Sequence, residues 1–580
     1  MAAVQSSSSS LNAKEVAVTS GPDVESQQGH NHPSHWFLVR RPDGVTDAVL
    51  NYQYPGEGTS ESPYVVDFLP DDGSNPMQYS PIKKWTVMML MAFATLAVTF
   101  ASSAYSGGVF AIIEYFQVST IVAVLGISLY VLGFAIGPLL WAPLSEFNGR
   151  QIVFIPTYFS LVAFGAGAAG AQNIQTLIIL RFFAGAFGAS PLTNAGGVIA
   201  DMFSAKERGL ATSIFAMAPF LGPTIGPIAG GFLGEYAGWR WIEGLITIFT
   251  GVLWIVCSLF VPETYAPVLL RRRAAKLSEL TGKVYTSKMD LSVTATRSEQ
   301  IKKTLIRPWV LLFREPIVML TSIYLAIVYG TLYLLFAAFP IVFQVSRGWS
   351  AGIGGLAFIG VAIGSVIAVV ASAWDNKRYA RIAAASPNGL PPAEARLPMA
   401  IVGSVLLPVG LFWFAWTNGP EIHYVVPIIA SVVFSTGLVS VFLSLLGYLI
   451  DSYTVYAASV LAANSVLRSL FGAAFPLFTS YMYQNLGIHW ASSVPAFLAL
   501  ACMPFPWLFW RYGARIRQSC KYAAEAAAIL LKMMTQQAHG QGQPSTTPAV
   551  GSGEPERLGV LSEDEGTVVD ESDETKEKSS

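Results

Sequence analysis

Between Trp85 and about Tyr512 the chain carries twelve apolar stretches of about 20 residues each, in two sets of six with a basic segment between them. A helix of that length crosses a hydrocarbon core of roughly 30 Å. Lipid offers the backbone no hydrogen-bond partners, so such stretches must satisfy their own polar groups as helices. The expected fold is all-α and integral to the membrane, with twelve transmembrane helices in two six-helix bundles. Only 12% of the 580 residues are charged, against roughly 25% in ordinary soluble domains. Two sets of six point to a transporter rather than an enzyme.

The spacing predicts helices near 85–107, 121–144, 152–171, 176–200, 210–233 and 241–262. The second set falls near 317–343, 352–374, 398–417, 423–450, 457–483 and 491–512. The domains that follow are a polar tail at 1–84, a bundle at 85–262, a basic loop at 263–316, a second bundle at 317–512 and a tail at 513–580. Residues 1–84 are rich in Ser, Pro, Gly and Asp and are expected to be disordered. They hold no apolar run of signal-peptide type, so helix 1 is expected to serve as an uncleaved signal. Residues 515–534 read as an interfacial amphipathic helix. The acidic stretch 551–580 reads as a solvated tail.

Lys and Arg gather in alternate connectors, while the opposite side shows only Arg240 and Arg347. The positive-inside rule then places both termini in the cytoplasm. The central loop carries eleven Lys/Arg against five Asp/Glu, beginning at Arg271-Arg272-Arg273. It serves either as a lipid-facing topogenic loop or as a docking segment. A net charge near zero gives no sign of nucleic-acid binding. Cys257, Cys502 and Cys520 have neither metal-ligand nor disulfide spacing. No phosphate-binding Gly-x-x-x-x-Gly-Lys loop is present, which argues against ATP-driven transport. No catalytic constellation and no metal site are read, no cofactor is expected, and the lipid bilayer is the evident partner.

Gly133 and Gly137 in helix 2 are matched by Gly360 and Gly364 in helix 8. Glu146 and Arg150 follow the first pair; Asp375 and Lys377-Arg378 follow the second. This is the mark of duplicated bundles, although small residues four apart also serve plain packing. Gly149 suits a tight turn. Glu146 and Arg150 pair either with each other or with the neighbouring bundle, as a latch on one conformation, or merely set the topology. Arg181 is costly within an apolar span. It faces the interior or snorkels to the outer surface. Helix 5 carries Gly222-Pro223 and Gly226-Pro227, then Gly230-Gly231. Glycine permits close helix approach and proline bends the helix.

The segment Gly137 to Arg150 resembles the loop motif between helices 2 and 3 of the major facilitator superfamily. Ala142 stands where that motif has Gly and Glu146 where it has Asp, as in the fungal drug:proton antiporter branch. Arg181 matches the helix 4 motif that the resemblance links to proton coupling. Gly222 to Gly231 looks like the antiporter motif of helix 5, taken in that family to seal the bundle against proton leak. The likeness runs from about Lys83 to Lys521, through Trp239-Arg240-Trp241, Val261-Pro262-Glu263-Thr264, Asp451-Ser452-Tyr453 and Asn464 to Gly472. It implies a proton-driven exporter in the plasma membrane, of the multidrug, polyamine or secondary-metabolite kind, for which a monomer suffices.

In such a fold the substrate site lies at midplane between the bundles. Tyr324, Tyr329, Tyr333, Phe336 and Phe339 of helix 7 fill the core or line an aromatic pocket for flat apolar compounds. Asn194, Asn464 and Glu243 are further pocket candidates, and the two asparagines could add hydrogen bonds. Arg468 neutralises a helix end or touches substrate. No acidic residue must sit at midplane, which disfavours polyamines, whose charges are costly to desolvate. The expected substrates are neutral or weakly charged lipophilic compounds, azole-type drugs or a fungal toxin. The proton carrier stays open among Glu243, Glu114, Asp451, Asp201 and a water path at Arg181. A nutrient importer and a transport-dead sensor are the alternatives.

Overall fold

A computed structural model describes residues 44–291, 297–386 and 391–540. Eleven continuous segments are long and apolar enough to cross a membrane, the last of them, Thr454–Ser519, 66 residues long. Gly487, at φ 71°, divides that last segment. A positive φ is cheap only for glycine, so one residue turns the chain back and twelve helices result.

In the first half these are α1 (Pro81–Ala104, prolonged through Tyr105–Gly108 into Val109–Phe116), α2 (Thr120–Asn148), α3 (Arg150–Ala169), α4 (Ile174–Met202), α5 (Ala218–Ala237, preceded by Ala205–Phe215) and α6 (Trp239–Phe260). In the second half they are α7 (Pro316–Phe339, continued as a π-helical turn Pro340–Val345), α8 (Ala351–Leu356 and Phe358–Ala385), α9 (Leu397–Thr417), α10 (Val425–Ser452), α11 (457–486) and α12 (488–502, continued as Pro504–Ser519). Starts follow local chemistry: the Ser80 hydroxyl accepts from Lys83 N (3.4 Å) and Asn173 Oδ1 from Thr176 N (2.8 Å).

The two halves pack alike. α1 lies on α5 as α7 lies on α11; α2 lies on α4 as α8 lies on α10; α3 meets α4 and α6 as α9 meets α10 and α12. The repeated glycines explain one of these pairs. A Cβ on Gly133 would stand 2.4 Å from Ala186 N, and one on Gly364 2.4 Å from Val432 O, so both glycine pairs mark the same inter-helix contact. Between the halves α2 packs on α11 and α5 on α8, an exchange of partners that a pseudo-two-fold axis requires.

The expectation of disorder over 1–84 does not hold for residues 44–84; residues 1–43 lie outside the described residues. Strand β1 (Tyr64–Val66) pairs in parallel with β2 (Tyr285–Ser287) of the central loop, Tyr64 opposite Tyr285. Val49, Tyr54 and Val66 share a small core with Leu270, Ala274 and Leu277 of the loop helix Ala266–Thr281. Local composition misleads here because the tail borrows its apolar partners from 200 residues away. The basic triplet is held by partners within the protein. Arg273 is buried on Asp72 (2.6 Å) and Ser74, Arg271 pairs with Asp290 (2.6 Å), and Arg272 Nη2 donates to Asn148 O (2.7 Å). Burial alone would raise the Asp72 carboxyl, but the hydrogen bond and charge of Arg273, with Ser74, hold it below the usual carboxylate range.

At the other end, residues 515–519 prolong α12 and a further helix, Lys521–Gly540, begins after Cys520. Glu315 accepts from Tyr453 Oη (2.8 Å) and from Tyr522 N (3.0 Å), which docks that helix start. Cys520 is buried. A second unit, 531–580, is helical over its described part, to residue 540; the acidic stretch 551–580 lies outside the described residues.

Candidate functional site

Arg181 lies on the buried stripe of α4 with Leu177, Ile178, Ala184, Gly185 and Gly188. Its side chain does not snorkel: the residue is 1% exposed. Every arm of the guanidinium is engaged. Nε donates to Gly126 O of α2 (2.8 Å), Nη2 to Ala101 O of α1 (3.0 Å) and Nη1 to Glu243 Oε1 of α6. The rings of Tyr105 and Tyr130 flank it at 4.2 and 5.0 Å. Their hydroxyls donate in turn to Ala123 O (3.0 Å) and Val98 O (3.1 Å). Glu243, expected in the substrate pocket, is therefore inside the first bundle as the counter-ion of Arg181. An uncompensated charge there would cost several kcal/mol, roughly 3–5 when one partner of a buried pair is lost. The pair joins four helices, α1, α2, α4 and α6. Glu114, by contrast, is exposed near the end of α1.

A second cluster lies on the seam between the halves. Tyr329 and Tyr333 are one turn apart on α7, their hydroxyls 3.5 Å apart. Tyr333 Oη is 2.9 Å from Ser102 Oγ of α1, across the seam. The Arg468 guanidinium stands 5.2 Å from the Tyr329 ring and 5.3 Å from that of Phe442. Phe442 of α10 meets Phe220 of α5 edge to face at 5.0 Å, again across the seam. Asn464 lies one turn before Arg468 on α11. Phe336 touches Tyr333 (5.2 Å) and stacks on Phe358 (5.5 Å). It also lines a cavity of about 250 Å³ with Val109, Val124, Ile127 and Tyr483. Phe339 stacks on Phe414 of α9 (5.3 Å), in the second bundle. Tyr324 does not join the cluster: it is buried toward Phe505 of α12. Asn194 is buried, and its amide donates to Ser190 of its own helix (3.1 Å).

At the charged end of the first bundle, Gly149 (φ 108°) turns α2 into α3. Glu263, named in the sequence only as part of the Val261–Thr264 stretch, closes that turn. Its carboxylate accepts from Arg150 N (2.9 Å) and Gln151 N (3.2 Å), capping the helix dipole of α3. Arg150 donates to Ser145 Oγ (2.8 Å), pairs with Asp201 (3.5 Å) and covers the Tyr265 ring at 4.8 Å. Glu146 is exposed and makes no ion pair among the described residues, so of the alternatives the Glu146–Arg150 pair does not form. Among the described residues these partners of Arg150 lie in the first bundle or at the start of the central loop. The counterpart of Arg150 is not Lys377-Arg378 but Arg396 at the start of α9, which binds Asp451 at the end of α10 (2.9 Å). Arg150 and Asp201 stand at the same places in α3 and α4. Arg396 also holds Asn376 (2.8 Å), whose amide reaches Ser213 across the seam (2.6 Å).

The glycines of α5 divide between two neighbours. Cβ atoms on Gly222, Gly226 and Gly230 would come within 2.2, 2.1 and 2.0 Å of Thr99, Ser103 and Ala104 of α1. One on Gly231 would meet Ala351 O of α8 at 2.5 Å, and Pro227 O faces Gly355 of α8. Pro223 and Pro227 are both buried within α5. Glu235 accepts from Gly352 N (2.8 Å) at the same seam.

Comparison with known proteins agrees with this architecture. The Major Facilitator Superfamily model matches residues 91–476. The chain is 63% identical over 501 residues to "MFS-type efflux pump MFS2" of Trichophyton rubrum, covering 86% of this chain and 84% of that one. It is 59% identical over 503 residues to "Major facilitator superfamily multidrug transporter mdrA" of Aspergillus fumigatus, covering 87% and 83%. It is 57% identical over 517 residues to "Efflux pump FUB11" of Gibberella moniliformis, covering 88% and 87%. Among solved structures, the proton:xylose symporter XylE superposes with a TM-score of 0.54 at 16% identity, over 74% of this chain and 96% of that one.

Proposed function

Because the chain belongs to the major facilitator superfamily, we propose that it is a proton-coupled exporter of lipophilic small molecules, azole-type antifungals or toxic metabolites among them, working by alternating access. The observation that carries this reading is the buried Arg181–Glu243 pair. Glu243 is the proposed proton carrier. While it is ionised it neutralises Arg181 and holds α1, α2, α4 and α6 in one arrangement. Once it is protonated the guanidinium keeps its two carbonyl partners but loses its counter-charge, and the low-dielectric surroundings make that state costly. A proton thus biases a packed, two-state element.

The names of the relatives, efflux pumps and a multidrug transporter, support the direction of transport. The glycine face of α5 supports exchange rather than leak, since backbone contact with α1 leaves no room for a water file. The aromatic seam at Tyr329, Tyr333 and Phe442 supports apolar substrates. The proton gradient is the energy source, no cofactor takes part, and a monomer suffices. The membrane is the plasma membrane, with both termini cytoplasmic. The distribution of Lys and Arg supports that orientation.

The test is efflux of a labelled azole from a pump-deleted yeast expressing this chain, with and without a protonophore. Efflux should cease when the gradient collapses. Glu243→Gln should retain exchange at equal concentrations while losing uphill export. Export that persists without a gradient would refute the coupling. No export by correctly located protein would remove azoles from the substrate range.

A further inference from the structure

Among the described residues the two fully buried arginines have carboxylates, Arg181 with Glu243 and Arg273 with Asp72, whereas Arg468 is only partly buried but is lodged among rings. Among the described residues no Asp or Glu pairs with it, and its Nε is buried without a hydrogen-bond partner. Its neighbours are rings, Tyr329 and Phe442. One turn away Asn464 is 1% exposed, and its amide nitrogen is likewise buried and unpartnered. The acidic groups on the surrounding helices are engaged elsewhere. Glu235 of α5 holds Gly352 N, and Asp451 of α10 holds Arg396 and Tyr379.

Two unpartnered donors one turn apart, one of them cationic, thus lie beside the rings of the seam, where Tyr329 neighbours the Tyr333–Ser102 contact and Phe442 meets Phe220. Cation–π contact offsets only part of the cost of burying a guanidinium. An anion carried by the ligand would offset the rest.

Resting on the export reading above, we propose that Arg468 anchors an anionic group of the exported compound, a carboxylate, with Asn464 as second donor. The substrate class is then lipophilic aromatic carboxylic acids. A guanidinium holds a carboxylate through two parallel N–H···O bonds, and Tyr329, Phe442 and Phe220 receive the flat apolar body. Because the rings come from both halves, such a ligand touches both at once.

The test is equilibrium binding of 1-naphthoic acid and 1-naphthamide to the purified full chain in lipid nanodiscs at neutral pH. The two probes differ only in charge and hydrogen-bonding at one group. The acid should bind roughly tenfold to a hundredfold more tightly, the range of a charge-assisted hydrogen bond. Arg468→Gln should bring the ratio close to one, and Arg468→Lys should leave an intermediate preference. Equal binding of acid and amide to the unaltered chain overturns the proposal, and needs no variant to fold. So does a preference that survives Arg468→Gln. Displacement of the naphthoate by equimolar acetate would reduce the site to a small-anion site and overturn the substrate class. Binding is read without a proton gradient, so failure of proton-driven azole export and failure of this site are separate outcomes.

Discussion

Removing one member of the Arg181–Glu243 pair should damage folding, whereas removing both should damage only coupling. Both side chains are almost wholly inaccessible, at 1% and 3% exposure. Glu243→Ala deletes the counter-charge and leaves Arg181 with the carbonyls of Gly126 and Ala101. Those two bonds solvate the cation in part but do not neutralise it, so the loss should be about 3–5 kcal/mol. Glu243→Gln keeps an acceptor for Nη1 and should cost less. The double variant Arg181→Met, Glu243→Leu fills the same volume with apolar atoms. Replacing a buried pair in this way is often neutral or stabilising by about 1–4 kcal/mol. The assay is the midpoint of thermal aggregation of detergent-solubilised protein, followed by size exclusion, beside proton-driven efflux in yeast. The expected order of stability is Glu243→Ala lowest, with the double variant near the original chain and yet unable to export uphill. If the double variant is as unstable as Glu243→Ala, the damage lies in lost packing and not in a stranded charge. If it is stable and still exports in a gradient-dependent way, the pair is structural and the coupling lies elsewhere.

Two further outcomes follow from packing and charge. Gly230→Val should be severely destabilising, since even a Cβ there would stand 2.0 Å from Ala104 O, and overpacking a tight contact costs about 1–3 kcal/mol or more; yield of monodisperse protein reads this directly. Asp72, whose pKa is lowered in the fold by Arg273 and Ser74 against the effect of burial, contributes stability that is fully present above its unfolded value of about 4. That contribution is lost as pH falls through the lower folded value, so hydrogen-exchange protection across 44–80, taken relative to the intrinsic rate at each pH, should stay high at neutral pH and drop only in acid; Asp72→Asn should lower it at neutral pH.

The glycines show how far the sequence was legible. Gly133 and Gly137 and their partners Gly360 and Gly364 announced a repeat, because four-residue spacing puts them on one helix face whatever that face meets. The helix 5 glycines announced a close approach but not that two neighbours share it. Charges were read less well. Arg181 and Glu243 are 62 positions apart, so no periodicity could pair them, and the sequence leaves Glu243 open between pocket and proton carrier. Glu146 beside Arg150 suggested a pair by proximity along the chain. Instead Glu263, at the far end of the bundle's sequence, took the exposed N–H groups of α3. The N-terminal segment failed for the same reason, as its core and its ion pair lie in the central loop.

What the sequence alone determined is the class: twelve helices in two repeated sets, set by length, apolarity and the demand that lipid places on every backbone group. Those are local properties, summed over about 20 residues. What only the tertiary structure decided is which charge meets which, because a buried charge finds its partner through space. That partnering makes Glu243 the companion of Arg181 and leaves the partly buried Arg468, its Nε unpartnered, without a carboxylate among the described residues.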